Sequence, residues 1–328
     1  MLPKAELHVH IEGTLEPELL VQLARRNAVP LPSTDPAQLR AQYQFSSLQT
    51  FLDLYYRNVA ALRTEADFHE LAAAYLARAA AAGVRRAEIF FDPQQHTSRD
   101  VPLAAVFAGL SSALAEAQGA HQISADLIMC FLRDRGPDAA MEVLRAALPY
   151  RQLFIGVGLD STEVGYPPEL FRDVFGAAAA EGLHRVAHAG EEAGPDYVWQ
   201  ALDVLGAERI DHGIRAMEDA SLIRRLVADQ VPLTVCPISN VALRAVGSLA
   251  EHMLPTMLNE GIKATINSDD PAYFGGYIDA NYAAARSEMG LSGDQLVTLA
   301  RNSFDACFCT EQQRAEWQAE LAAAAVDS

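Results

Sequence analysis

Lysine is nearly missing from this chain: its 328 residues contain two, Lys4 and Lys263. Lys and Arg together number 25 against 43 Asp and Glu, a formal net charge of −18. A nucleic acid or an anionic membrane surface is bound through a basic footprint, and no Lys/Arg cluster supplies one, so neither partner is expected. Cysteine is also scarce. The four present (Cys130, Cys236, Cys307, Cys309) are too few for a disulfide framework in a chain this long, and no CxxC occurs. Reduced thiols and a cytoplasmic location are the expectation. No run reaches the ~18 consecutive apolar residues of a membrane span. The opening MLPKAELHVH lacks the charged-then-apolar layout of a signal peptide. Internal repeats and low-complexity linkers are absent as well.

Half of the residues are hydrophobic, which supplies a sizeable core and excludes global disorder. Eight short apolar, β-branched runs stand between helical segments: residues 5–10, 85–92, 123–131, 154–160, 184–190, 208–213, 232–237 and 263–269. From the second onward they start 38, 31, 30, 24, 24 and 31 residues apart, the pitch of a βα unit. Buried strands alternating with helices predict a parallel sheet. Eight units predict an α/β fold, a (β/α)₈ TIM barrel in a single domain over 1–328. The alternative, an open doubly wound sheet, lacks a GxGxxG after its first strand. The Ala-rich stretches 71–82 and 174–182 and the tail after Thr310 read as helices. Residues 11–84 form an unusually long first connection with helical patterning at 46–58, which predicts a lid over the C-terminal face.

Active sites of such barrels lie at the C-terminal strand ends. Here those ends carry His8-Val-His10, His188-Ala-Gly-Glu191, Asp211-His212-Gly213 and Asn267-Ser268-Asp269-Asp270. The strand period of two points His8 and His10 the same way. Two imidazoles, a third from His188 and one aspartate of the 269/270 pair make a nitrogen-rich set suited to Zn²⁺, with Fe²⁺ or Mn²⁺ as alternatives. Taken alone, HxH also fits a pair of core histidines, and NSDDP also fits a turn that starts a helix. Binuclear barrel hydrolases often bridge two metals with a modified lysine on strand four. Neither lysine is there, so a single ion is expected. Glu191, at the rim, is placed to deliver a proton to a substrate ring nitrogen, or else is a helix-start acid. His212 is placed to orient and deprotonate an attacking water, or else is a structural histidine.

The segments 3–18 (PKAELHVHIEGTLEPE), 186–191 (VAHAGE), 209–216 (RIDHGIRA), 233–240 (LTVCPISN) and 267–275 (NSDDPAYFG) together resemble the adenosine/adenine deaminase family. The resemblance implies an amidohydrolase-type barrel with one zinc ion held by His8, His10, His188 and Asp269. It also implies Glu191 as proton donor to purine N1, His212 as the residue that positions hydroxide at C6, and Asp270 in contact with N7. Gly190 would leave room for the ring. The cytidine-type zinc deaminases carry HxE and PCxxC, and neither pattern occurs here.

Two departures separate the chain from the adenosine-specific members. Glu12 stands where those carry Asp, and LDSTEVG (159–165) replaces their DLAGDE-like segment. Both forms resemble the branch acting on the free base, and the larger acid would exclude a sugar by shape. Ser161 and Glu163 are then candidates for the N3/N9 edge, with Phe51 and Leu52 as contacts from the lid region. The resemblance thus implies hydrolytic deamination of a small-molecule 6-aminopurine, adenine to hypoxanthine and ammonia; the sequence leaves a homo-oligomer open. Alternatives are adenosine, an aminofutalosine nucleoside or an N6-substituted adenine as substrate, another amidohydrolase reaction, or a catalytically silent purine-binding protein.

Overall fold

Eight parallel strands form one sheet in chain order: β1 (Lys4–His10), β2 (Val84–Phe91), β3 (Ser124–Leu132), β4 (Gly156–Asp160), β5 (His184–Ala189), β6 (Arg209–His212), β7 (Leu233–Val235) and β8 (Ala264–Ile266). This computed structural model describes residues 2–326. All eight expected strands are present, but β7 and β8 end earlier than the apolar pattern suggests. Pro237 cannot extend a ladder and instead opens a short helix, Pro237–Ala242. Past Ile266 the chain turns out of the sheet yet returns to bridge Val9 with Asp269. The Asp269 N–H donates to His8 O and the His10 N–H to Asp269 O, both at 3.0 Å. This near-closure of the barrel is also what carries Asp269 to the His8/His10 pair.

The interior is layered by the two-residue strand period. Near the bottom, Glu88 accepts from Arg209 at 2.7 Å and is also paired with Arg86. Burial pushes the Glu88 carboxyl upward, but the two guanidiniums outweigh it and hold the group below its ordinary range. Above lies a small apolar layer of Phe90, Ile128, Cys130 and Val186. Two residues further along the strands stand Asp92, Asp160 and His188, at the mouth. Asp92 therefore continues the inward series Arg86, Glu88, Phe90 on β2.

The first connection holds four helices: α1 (Pro17–Arg26), α2 (Pro36–Arg40), α3 (Leu48–Val59) and α4 (Glu65–Ala81). Its last helix belongs to the ordinary outer ring. After β2 come α5 (Pro93–Thr97) and α6 (Leu103–His121), and α4 packs against α6. The extra material is therefore α1–α3. By length and composition α6 could cross a membrane, but its Val106, Phe107, Leu110, Ala113 and Ala117 are buried within this protein.

Gly109 sits where α6 meets α4. A Cβ there would lie 2.3 Å from the backbone oxygen of Glu65. Gly109→Ala is expected to lower stability, because an overpacking cost of about 1–3 kcal/mol outweighs the ~1 kcal/mol of helix propensity that alanine returns. A shift of the urea midpoint to lower concentration, with an unchanged slope, checks this.

Candidate active site

Three imidazoles and a carboxylate meet at the barrel mouth. His10 Nε2 lies 3.2 Å from His188 Nε2 and 3.5 Å from Asp269 Oδ1, and His8 Nε2 lies 3.3 Å from the same Asp269 oxygen. Ligand atoms at the corners of a tetrahedron with bonds of 2.0–2.1 Å stand about 3.3 Å apart. The spacing therefore suits one ion. The tautomer of His8 suits it too. Thr234 Oγ1 gives its proton to Asp211 Oδ1 at 2.7 Å, so it accepts from His8 Nδ1 at 3.0 Å. In the neutral ring that leaves the lone pair on His8 Nε2, the atom facing Asp269 Oδ1. Burial works against a proton there but Asp269 and Asp211 favour one, so a positive charge is wanted at this point, which an ion would supply. Burial pushes the His10 imidazole down to about 4 and His188 well below its ordinary range, so both are neutral, as a metal ligand must be.

The remaining carboxylates are held by the loops that leave the strands. Asp269, at φ +66°, accepts from Ser239 Oγ at 2.5 Å through Oδ2. Burial works against its charge, but His8 outweighs burial and holds the carboxyl well below its ordinary range. Glu191 is 4 % exposed and its Oε2 lies 3.5 Å from His212 Nε2. Burial, with Asp269 and Glu163 nearby, raises the Glu191 carboxyl well above the usual range and so favours its protonated form. Burial and Asp269 act on Asp270 in the same direction. Burial lowers His212 to about 3.

A cavity of about 40 Å³ reaches these groups. It is lined by His10, His188, Glu191, His212, Asp269 and Asp270 from the barrel, and by Leu48, Phe51, Leu52, Tyr55 and Tyr56 from α3. Asp92, Asp160, Ser161 and Leu243 complete the lining. Phe51, Leu52, Ser161 and Asp270 thus reach the place predicted for them.

Three predicted substrate contacts do not line it. Glu12 is fully buried, and its Oε1 accepts from His96 Nε2 at 2.8 Å and from the Asp92 N–H at 3.1 Å. It supports the start of the loop after β2 from behind, so exclusion of a sugar by the Glu12 side chain itself is not what the structure shows. Glu163 also turns inward. Its carboxylate accepts four consecutive backbone N–H groups: Gly190 at 2.6 Å, Glu191 at 3.1 Å, Glu192 at 2.6 Å and Ala193 at 2.8 Å. It fixes the loop that carries Glu191. Gly190 adopts φ +74°, and a Cβ there would meet Val198 Cγ2 at 2.7 Å. Glycine is needed for this conformation and for packing outward, rather than to clear space for a ring.

Sequence reasoning missed the parts of Tyr56 and Asp160. Tyr56 hydroxyl and Ser161 Oγ are 2.9 Å apart, joining α3 to the loop after β4. Asp92 and Asp160 stand beside one another and His10 at the mouth. Burial and its neighbour push Asp92 well above the ordinary range, and burial takes Asp160 to about 7. The strand parity of Asp92 with Phe90 and of Asp160 with Gly158 was the available signal. Other polar and aromatic residues stand apart from the cavity: Cys236 is buried, Trp199 Nε1 donates to Asp219 and His184 stacks on Phe308.

Comparison with known proteins now bears on this site. The adenosine deaminase family profile matches residues 3–324. The chain belongs to that family. It is 59% identical over 324 residues to the adenine deaminase of Streptomyces coelicolor, covering 98% of this chain and 95% of that one. The adenine deaminase of Hahella chejuensis is 52% identical, with 98% and 96% covered. Among solved structures, the adenine deaminase of Arthrobacter aurescens superposes with a TM-score of 0.98 at 51% identity over the whole of both chains. An amidohydrolase from Burkholderia ambifaria with bound zinc gives 0.91 at 27% identity, covering 99% and 91%. The family and its barrel are therefore established for this chain, with a buried His/Asp group suited to a metal ion.

Proposed function

We propose that the chain, acting as one catalytic unit, hydrolyses adenine to hypoxanthine and ammonia with one zinc ion. The observation that carries the free-base reading is the bridge at the cavity's edge between α3 and the loop after β4, where the Tyr56 hydroxyl is hydrogen-bonded to Ser161. The adenine deaminases named above, more than half identical over almost the full length, support the same substrate. His8, His10, His188 and Asp269 would hold the ion. When bound, it supplies Lewis-acid activation of a water near neutral pH.

The chain's own residues do the rest. Attack at C6 disrupts the aromatic ring, and the electron pair displaced toward N1 needs a proton. Protonated Glu191 delivers it. His212 holds the attacking oxygen in line with C6. Asp270, whose Oδ1 is buried without a partner, contacts N7. Ser161 takes the N3/N9 edge. Phe51 and Leu52 cover the ring and exclude water.

An ultraviolet assay of the zinc-loaded protein with adenine and adenosine in parallel tests this. Adenine converts and adenosine stays inert. Conversion of adenosine alone would reject the free-base reading while leaving the deamination chemistry intact. Removing this bridge should loosen selectivity: Tyr56→Ala is expected to raise kcat/KM for adenosine relative to adenine by about tenfold. An unchanged ratio would move the selectivity elsewhere.

A further inference from the structure

His212 does not stand alone behind the cavity. Asn240 Nδ2 lies 3.2 Å from His212 Nδ1, Asn240 Oδ1 lies 3.2 Å from His252 Nε2, and the backbone N–H of Leu254 meets His252 Nδ1 at 3.0 Å. We propose that His252 and Asn240 are positioning residues that lock His212 as the Nε2–H tautomer, so that His212 presents a proton donor to the reacting centre and not a base. The proposal rests on the reading of His212 as the residue facing the attacking oxygen.

The direction of the chain follows from its anchored end. A peptide N–H only donates, so His252 Nδ1 carries a lone pair and its one ring proton is on Nε2. That proton needs an acceptor, and the atom opposite is the amide of Asn240, which must therefore turn its oxygen to His252. Its nitrogen then faces His212. An amide nitrogen has no lone pair to offer, so His212 Nδ1 accepts and the His212 proton sits on Nε2. Nothing competes with this order, because Asn240, His212 and His252 are all buried. The local fold places each member. His252 follows the turn Leu249–Glu251, and its ring caps the first N–H of the helix Leu254–Asn259. Asn240 is on the helix that Pro237 opens. His212 has φ +61°, which swings its ring off the strand and toward both.

The Nε2–H of His212 is directed at the space shared with Glu191 Oε2 (3.5 Å) and Asp269 Oδ2 (3.8 Å). An oxygen there is held through its lone pair, which aims the remaining lone pair at the substrate. A water activated near neutral pH gives its proton to bulk solvent, so no acceptor is asked of His212. On this proposal His212 orients the attacking oxygen and takes no proton from it.

Nitrogen-15 NMR of the histidine-labelled, zinc-loaded full chain tests the assignment, with the His212 signals identified by their loss in His212→Gln. The expected spectrum shows protonated Nε2 and unprotonated Nδ1, read without substrate and so independently of whether adenine is the substrate. Asn240→Asp is nearly isosteric and offers only acceptors. It is expected to move the proton to Nδ1 and to lower kcat on the order of 10²-fold, with KM within about threefold. His252→Gln keeps an N–H for Asn240 and is expected to stay within about threefold of the parent kcat, whereas His252→Phe, which frees the amide to flip, loses about tenfold. A protonated Nδ1 in the parent protein overturns the proposal whatever the variants do. So does an Asn240→Asp protein whose tautomer and kcat are both unchanged.

Discussion

Glu191→Gln is expected to keep the fold and the metal content while kcat falls on the order of 10³-fold. The side chain is almost the same size and remains buried beside His212. It loses the one thing the site supplies there, a proton that can leave. Because the carboxyl is raised, the competent form is the protonated one. Activity of the parent enzyme that depends on Glu191 is therefore present below the raised pKa and is lost as pH rises through it. The residual activity of the Gln variant should lack that alkaline decline. Zinc content by atomic absorption and kcat across a pH series measure both halves. A variant with full metal and turnover within tenfold of the parent would remove Glu191 from the role of proton donor.

Glu163→Gln should have the second-largest effect, although Glu163 does not line the cavity. Its two carboxylate oxygens accept four N–H groups of residues 190–193. A Gln side chain keeps one oxygen and turns an NH₂ toward donors. Hydrogen bonds to a charged acceptor contribute about 1.5–3 kcal/mol each, and buried N–H groups left unpaired cost about 1–3 kcal/mol. A loss of about 3 kcal/mol in urea unfolding is expected, since part of the loop can relax. Displacement of Glu191 by about 1 Å adds a drop in kcat/KM on the order of 10²-fold. The pair of measurements separates the two residues. Glu191→Gln loses turnover at full stability, and Glu163→Gln loses both. A stable, fully active Glu163→Gln protein would show that the loop holds its shape without this anchor.

These two residues also mark the boundary between what could be read along the chain and what could not. The barrel was legible because its signals are local and periodic. Apolar runs recur at βα spacing, and the i, i+2 parity of His8 and His10 needs only a strand to bring both rings to one side. The presence of His188, His212 and Asp269 at other strand ends followed from the same count, and Asp92 could have been added by its parity with Phe90. Glu12 and Glu163 were legible as acids at the right ends but not as supports. Each stands beyond its strand, in a loop where direction is set by individual φ/ψ values and not by a period. Ser161 at φ +70°, Gly190 at +74° and His212 at +61° each redirect the chain in a way that no propensity encodes.

By itself, then, the sequence determined the eight-stranded parallel architecture, the collection of imidazoles and carboxylates at one end of it, and the family. Burial and periodicity act on each residue separately and leave their trace in composition and spacing. Only the tertiary structure decided which acids face the cavity and which turn away to bind backbone N–H groups, that Tyr56 reaches Ser161 across 105 positions of sequence, and that His252 orders the proton on His212 through Asn240. Those are relations between residues from different loops. Their geometry exists only once the barrel has closed around them, because a hydrogen bond depends on tenths of an ångström that no single segment sets alone.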